Sequence, residues 1–149
     1  MSGPSNDLPV RLAEIIEEFQ WCEGREKIEL LLEYSERMPP LPAWLHKKPE
    51  LMQEIPECMT PVHVFAEAQA NKMKFYFEVP PESPTVRGFA TILAEGLDEA
   101  TPEQVLGVPG DFYQQMGLHL VLTHQRLNGM AAILAHMKQL ALRELNTAA

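Results

Sequence analysis

The amino-acid sequence predicts an α+β fold in which a small antiparallel sheet packs against several helices. Three observations support this fold class: helical periodicity near the N-terminus, a period-two pattern in the middle of the chain, and a second helical region after it. Because helices and strands are segregated along the chain, the pattern argues against repeated βαβ units. The 149 residues fit a single domain, 1–149, with a core from about residue 8 to 142 and flexible ends at 1–7 and 143–149.

Two helices are predicted in the first part of the chain. The first has apolar residues at helical spacing from Leu8 through Phe19 and ends near Gly24. The second ends before Pro39, because a proline ring disfavours helical geometry at the preceding residue. Residues 39–61 hold six prolines and little periodicity. We therefore expect a long connector there, ordered by packing.

A β-hairpin is predicted after this connector. Residues 62–69 and 73–79 each alternate between two faces, and a short polar turn around Asn71 separates them. Phe65 and Tyr76 place aromatic side chains on the second face. We expect helices to cover one side of the sheet and the other side to be partly sheltered.

The C-terminal part is predicted to be helical. Ser83, followed by a proline, is expected to act as an N-cap hydroxyl at the start of a helix. Thr101, also followed by a proline, begins a second helix, with Gln104 placed for a capping box. A short helix is expected at residues 111–116, and Thr123 precedes the last helix.

Charge and hydropathy narrow the classes of partner. The chain carries 12 basic and 21 acidic residues, a formal net charge of −9. No basic stripe is present, which argues against a nucleic-acid partner. No apolar stretch approaches the ~18 residues of a membrane span, and the first ten residues show no secretory leader. We expect a cytoplasmic protein with reduced thiols.

Of the two cysteines, Cys22 and Cys58, the second has the more informative surroundings. Cys58 lies between Pro56 and Pro61, and prolines restrict the loop around the thiol. A nucleophilic thiol presented to another protein suits such a loop, but so does a small buried hydrophobic residue. The adjacent Glu57 is expected to raise the pKa of the thiol, so no activating group is visible nearby in sequence.

Other chemical motifs are sparse. There is no Cys-x-x-Cys, no His-x-x-x-His and no glycine-rich phosphate loop, so we expect neither a metal nor a cofactor. Glu82 precedes a predicted helix, where the helix dipole favours an anion. Arg126 lies in the first turn of the last helix, against the dipole. It has either a specific partner, such as a carboxylate or the backbone of the Cys58 loop, or an exposed position.

Five stretches, in this order, resemble motifs of the SufE family of sulfur acceptors, and together the similarity extends over roughly residues 8–138. They are Gly24-Arg25-Glu26-Lys27 leading into Leu30-Leu31-Leu32-Glu33-Tyr34, Pro56-Glu57-Cys58-Met59-Thr60-Pro61-Val62, Glu82-Ser83-Pro84-Thr85-Val86-Arg87-Gly88, Asp111-Phe112-Tyr113 with Met116-Gly117-Leu118, and Gln125-Arg126-Leu127-Asn128-Gly129-Met130.

The resemblance implies a compact SufE/IscU-like domain that acts beside a pyridoxal-phosphate cysteine desulfurase of the SufS type. It implies that Cys58 accepts sulfur as a persulfide and that its loop leaves an apolar cavity on docking. Glu82 and Arg126 would help to hold the resting loop. The residues around the thiol, Glu57, Met59 and Thr60, are candidates for partner contact, although position 59 is often glutamine in the family.

These arguments lead to one hypothesis and three alternatives. The hypothesis is a sulfur acceptor and carrier that delivers sulfur to an iron–sulfur assembly complex and stimulates the desulfurase. The alternatives are a non-catalytic activator that works by binding alone, a redox-sensing thiol protein, and an iron–sulfur scaffold. A scaffold would need a larger set of cysteine ligands than the two present.

Overall fold

The structure, a computed structural model, describes residues 8–148 of the chain. The predicted flexible residues 1–7, and residue 149, lie outside this described part. The helices and strands follow in the order α1 (Val10–Gln20), α2 (Arg25–Glu36), α3 (Ala43–His46), β1 (Gln53–Glu54), β2 (His63–Gln69), β3 (Lys72–Glu78), α4 (Pro84–Gly96), α5 (Pro102–Leu106) and α6 (His124–Ala148). Short 3-10 turns cover Pro49–Leu51, Phe112–Gln114 and Leu118–Leu120. The α+β class predicted from the sequence is confirmed.

The first two helices form where the apolar periodicity predicts them. The face of α1 that carries Leu12, Ile15 and Phe19 is fully buried. Gly24, which precedes α2, has a φ of 53°, a conformation that glycine adopts without steric cost. These helices therefore supply one wall of the core.

The sheet has three antiparallel strands in the order β1-β2-β3. The predicted hairpin of β2 and β3 is confirmed, with positive φ angles at Ala70 and Asn71 in its two-residue turn. Strand β1 was not predicted. It lies inside the segment expected to be a connector, and its Glu54 pairs with His63 of β2. Two residues are too few for a period-two pattern to reveal a strand.

The same segment also shelters the outer face of the sheet. Trp44 of α3 packs edge-on against Phe65 and Tyr76, with ring centroids 5.9 and 6.0 Å apart. Partial shelter of this face was expected, but not from the proline-rich segment. Aromatic contacts across about 6 Å explain how a segment with little periodicity is ordered by packing.

Helix α4 lies at the centre and packs against α1, α2, α6 and β3. Its approach to α2 requires Gly88, because a Cβ atom there would lie 2.2 Å from the carbonyl oxygen of Leu31. The buried side chains Phe89, Ile92 and Leu93 complete its core face. Helix α4 is therefore stabilised largely by tertiary packing.

One C-terminal prediction needs correction. Residues 111–116 form a 3-10 turn, Phe112–Gln114, rather than a short α-helix, and Gly117 with a φ of 76° follows it. Helix α6 begins after Thr123 as predicted but continues to Ala148, so residues 143–148, placed outside the core by the sequence, are helical. Their flexibility stays a prediction. The capping box at Thr101 and Gln104 is confirmed.

Candidate functional site

Cys58 lies on the loop that joins β1 to β2. The Ile55 N–H donates to the Val62 carbonyl at 2.9 Å, and both of these side chains are fully buried. The Cys58 N–H in turn donates to the Ile55 carbonyl at 3.3 Å. The loop of residues 55–62 is therefore fixed in the core at its base, while its tip lies against the starts of α4 and α6.

A second contact holds the base of this loop against α6. Gln53 Oε1 of β1 and His136 Nε2 of α6 lie 3.1 Å apart. Burial lowers the pKa of His136, so the neutral imidazole is favoured. The short strand β1, which the sequence did not reveal, is thus the element that turns the Cys58 segment into a hairpin loop over α6.

The Cys58 thiol is half-buried and points towards α6. Its Sγ donates to the Gly129 carbonyl at 3.5 Å, a long and weak contact. Burial of the thiol, with a smaller contribution from the Glu57 carboxylate, raises the pKa of Cys58 to about 11. In this position the residue is a protonated thiol at neutral pH and a poor nucleophile.

The thiol borders a cleft of about 560 Å³ between its own loop and the first turns of α4 and α6. All six residues that the sequence analysis singled out line this cleft: Glu57, Cys58, Met59, Thr60, Glu82 and Arg126. Residues up to 69 positions apart in sequence, Glu57 and Arg126, are thereby brought to one site. Met59 is 81% exposed and presents an apolar side chain beside the thiol.

Besides the Cys58 contact, two further contacts hold the loop tip in the cleft. Thr60 Oγ1 and Ser83 Oγ lie 2.9 Å apart, and Gln125 Nε2 donates to the Met59 sulfur. The prediction that the Ser83 hydroxyl caps α4 is wrong, because this hydroxyl bonds Thr60 and makes no cap hydrogen bond. Ser83 and Gln125 were not recognised as site residues, although both lie within the sequence motifs that include Glu82 and Arg126.

Glu82 and Arg126 border the cleft without a direct bond to the loop. The Arg126 guanidinium donates to the Thr85 hydroxyl of α4, and Glu82 is exposed. Within residues 8–148, no side-chain hydrogen bond or ion pair joins either residue to residues 55–62. Their predicted role in holding the resting loop stays a prediction, and Thr60 and Met59 make the polar contacts instead.

The remaining candidates lie away from this cleft or form no cluster. Cys22, half-buried after α1, is a free thiol like Cys58, and burial raises its pKa. Among residues 8–148, no group of three or more His, Cys, Asp or Glu side chains is arranged to hold a metal ion. Over the same range, no helix combines the length and the apolar character that crossing a membrane requires.

Comparison with known proteins identifies the family of the chain. The family model described as "SufE: Fe-S metabolism associated domain" matches residues 13–141. An uncharacterised SufE-like protein of Mycobacterium tuberculosis is 41% identical over 140 residues, which cover 93% of this chain and 96% of that protein. A chloroplastic and mitochondrial SufE-like protein of Arabidopsis thaliana is 29% identical over 140 residues, but these cover only 37% of it.

A solved structure shows the same fold. The solution structure of a hypothetical protein from Thermus thermophilus superimposes with a TM-score of 0.81 at 35% identity, covering 93% of this chain and 98% of that one. The family match includes the Cys58 loop and the first turns of α4 and α6. The chain therefore belongs to the SufE family, whose domain is associated with iron–sulfur metabolism.

Proposed function

We propose that this protein is a sulfur acceptor and carrier for a pyridoxal-phosphate cysteine desulfurase of the SufS type, with Cys58 as the accepting residue. The observation that carries the proposal is the position of Cys58 at the tip of a hairpin loop that is anchored at its base by the buried pair Ile55 and Val62. A thiol on a projecting loop with a rigid base suits delivery into another protein's site. Membership of the SufE family supports the same role.

The proposed step is a thiol–persulfide exchange. The Cys58 thiolate attacks the outer sulfur of a persulfide held on the desulfurase cysteine. A new S–S bond to Cys58 forms as the desulfurase S–S bond breaks, and the desulfurase thiolate leaves with the electron pair. The proton lost by Cys58 is balanced by one taken up by the leaving thiolate, so no external oxidant or reductant is needed. Pyridoxal phosphate belongs to the partner, and the only group that this chain carries is the transient persulfide.

The resting site protects the thiol rather than activating it. The pKa of Cys58, about 11 in the cleft, falls towards its ordinary value when the loop carries the thiol out of its buried position. Docking would therefore both deliver and activate the nucleophile. We infer that Glu57, Met59 and Thr60 then contact the desulfurase, that Glu82 and Arg126 favour the resting loop, and that an iron–sulfur assembly complex in the cytoplasm receives the sulfur.

The test is the intact mass of the protein after incubation with a cysteine desulfurase and free cysteine, followed by peptide mapping. We expect a gain of one sulfur atom on Cys58 that reductant reverses. Cys58→Ser should abolish the gain, while the matched variant Cys22→Ser should retain it. Stimulation of the desulfurase should be lost with Cys58→Ser as well.

Each alternative predicts a different result. An unchanged mass, together with full stimulation by Cys58→Ser, would overturn the proposal in favour of an activator that works by binding alone. A Cys22–Cys58 disulfide or a stable sulfenic acid under peroxide, without sulfur transfer, would support a redox sensor. Bound iron and colour after reconstitution would support a scaffold.

A further inference from the structure

The Ser83 hydroxyl lies at the start of α4 and yet does not serve that helix. By position Ser83 is the N-cap residue, and its carbonyl accepts the hydrogen bond of Arg87 N–H at 2.9 Å. Its hydroxyl instead lies 2.9 Å from Thr60 Oγ1 in the Cys58 loop. A side chain that the sequence assigns to a local role is therefore used to hold a distant loop.

Thr101 is a hydroxyl residue in the same sequence context as Ser83, and it does cap its own helix. Both residues precede a proline at the first helical position, but the Thr101 hydroxyl accepts the N–H of Gln104 at 3.1 Å. The backbone differs accordingly: φ and ψ are −75° and 158° at Thr101, and −117° and 68° at Ser83. A capping residue adopts extended geometry such as that of Thr101. The amide of α4 equivalent to that of Gln104 belongs to Val86, and its N–H donates no such bond to Ser83.

The Thr60–Ser83 bond is the strongest type of polar contact that holds the loop tip. The other two contacts use sulfur, as Cys58 Sγ donates to the Gly129 carbonyl and Met59 accepts from Gln125. Thiols are weak donors and thioethers are weak acceptors, whereas two hydroxyl groups form an ordinary hydrogen bond. Thr60 is only two residues from the thiol, so its partner sets the position of Cys58.

We propose that the Ser83 hydroxyl exchanges between two partners: Thr60 while the Cys58 loop rests in the cleft, and the first-turn amide of Val86 when the loop leaves. Thr60 and Ser83 are then positioning residues, and neither takes part in the sulfur transfer. Loss of the Thr60 contact is offset by a cap gained at α4, which lowers the free-energy cost of releasing the thiol. The inference deepens the proposed function, since it explains how an anchored loop can open.

The first test measures how fast iodoacetamide alkylates Cys58 as a function of pH, in the full chain carrying Cys22→Ser so that one thiol reacts. Thr60→Val removes the hydroxyl at nearly constant volume, and Thr60→Ser keeps it as the matched control. We expect Thr60→Val to react about fivefold faster at about pH 8, which corresponds to about 1 kcal/mol at about 1.4 kcal/mol per factor of ten. Thr60→Ser should react at the parent rate.

The second test follows amide hydrogen exchange at Val86, with Gln104 as the internal example of a capped amide. In Thr60→Val the exchange of Val86 should slow towards that of Gln104, because Ser83 is free to cap. In Ser83→Ala alkylation should again be faster, but the exchange of Val86 should not slow. A purely structural loosening of the loop would raise the alkylation rate in both variants and leave Val86 exchange unchanged.

The inference is overturned if Thr60→Val alkylates at the parent rate, or if Val86 exchange is the same in both variants. These measurements use no desulfurase and no persulfide. Failure of the proposed function would appear as an absence of sulfur on Cys58 in the wild-type protein, whatever the alkylation rates. The two ideas can therefore fail separately.

Discussion

The starts of α4 and α5 share a hydroxyl residue followed by proline, but the structure uses them differently. Thr101 caps α5 and is capped in return by Gln104, whereas Ser83 leaves α4 without a side-chain cap and bonds the Cys58 loop. Helix α5 has five residues and α4 has thirteen. A short helix depends on its cap, while α4 is stabilised by burial against four other elements and can use its first-turn hydroxyl elsewhere.

The first way to test this difference is to disturb the packing of α4 against α2, which stabilises α4 in the absence of a side-chain cap. Gly88→Ala would place a Cβ atom 2.2 Å from the Leu31 carbonyl oxygen, and a backbone atom cannot move aside cheaply. We expect a loss of about 3 kcal/mol in the free energy of unfolding, measured by urea denaturation.

Gly129 of α6 provides the matched control for Gly88. It is also a glycine within a helix, but a Cβ atom there would meet no heavy atom within 4 Å. Gly129→Ala should stabilise the protein by about 0.5 kcal/mol, since alanine has the higher helix propensity. Equal losses in the two variants would show that packing at Gly88 is not what holds α4.

The next effect concerns the loop that Ser83 holds. Because the pKa of Cys58 is raised to about 11, the alkylation rate at Cys58 should rise about tenfold per pH unit between about pH 8 and 10. The rate increases with pH because the thiolate is the nucleophile, and because the thiolate fraction grows as the pH rises towards the pKa. A plateau reached near about pH 9, measured by mass spectrometry, would mean that the thiol is exposed at rest.

A smaller effect is expected at Thr101, whose hydroxyl caps its own helix α5. Thr101→Ala removes the hydroxyl that accepts Gln104 N–H, and we expect a loss of about 1 kcal/mol in the free energy of unfolding. Thr101→Ser should restore most of this loss, because serine is an equally good N-cap. Cys58 alkylation should be unchanged in both variants, since α5 contributes no residue to the cleft.

The smallest effect is expected at Ser83. Ser83→Ala removes a partly buried hydrogen bond to Thr60 rather than a helix cap. We therefore expect a loss of about 0.5 kcal/mol in the free energy of unfolding by the same urea measurement. The comparison would fail if Ser83→Ala proved more destabilising than Thr101→Ala, because Ser83 would then be stabilising its helix after all.

Much of the fold could be predicted because its signals are local. The buried face of α1, the β2–β3 hairpin and the capping box at Thr101 each depend on residues within a few positions of one another, and all three were confirmed. Strand β1 and helix α3 were missed for the opposite reason. They have two and four residues, too few to show periodicity, and they are ordered by contacts with β2, Phe65 and Tyr76.

The site was predicted as a set of residues but not as an arrangement. The motifs identified Cys58, Glu82 and Arg126, and the structure places all three around one cleft. The partners of the loop tip, Ser83 and Gln125, could not be predicted because they lie 23 and 66 residues away from the groups that they contact. No rule of spacing relates residues at those separations.

By itself, the sequence determined the order and faces of the longer helices, the hairpin, and which of the two cysteines has the more informative surroundings. Only the tertiary structure decided that Cys58 is half-buried, so that burial contributes more than Glu57 to its raised pKa, and that Ser83 bonds Thr60 instead of its own helix. The physical reason is the sequence separation over which each interaction acts. Propensity and capping act over three or four residues, whereas burial and the choice between two hydrogen-bond partners depend on which distant segments the folded chain brings together.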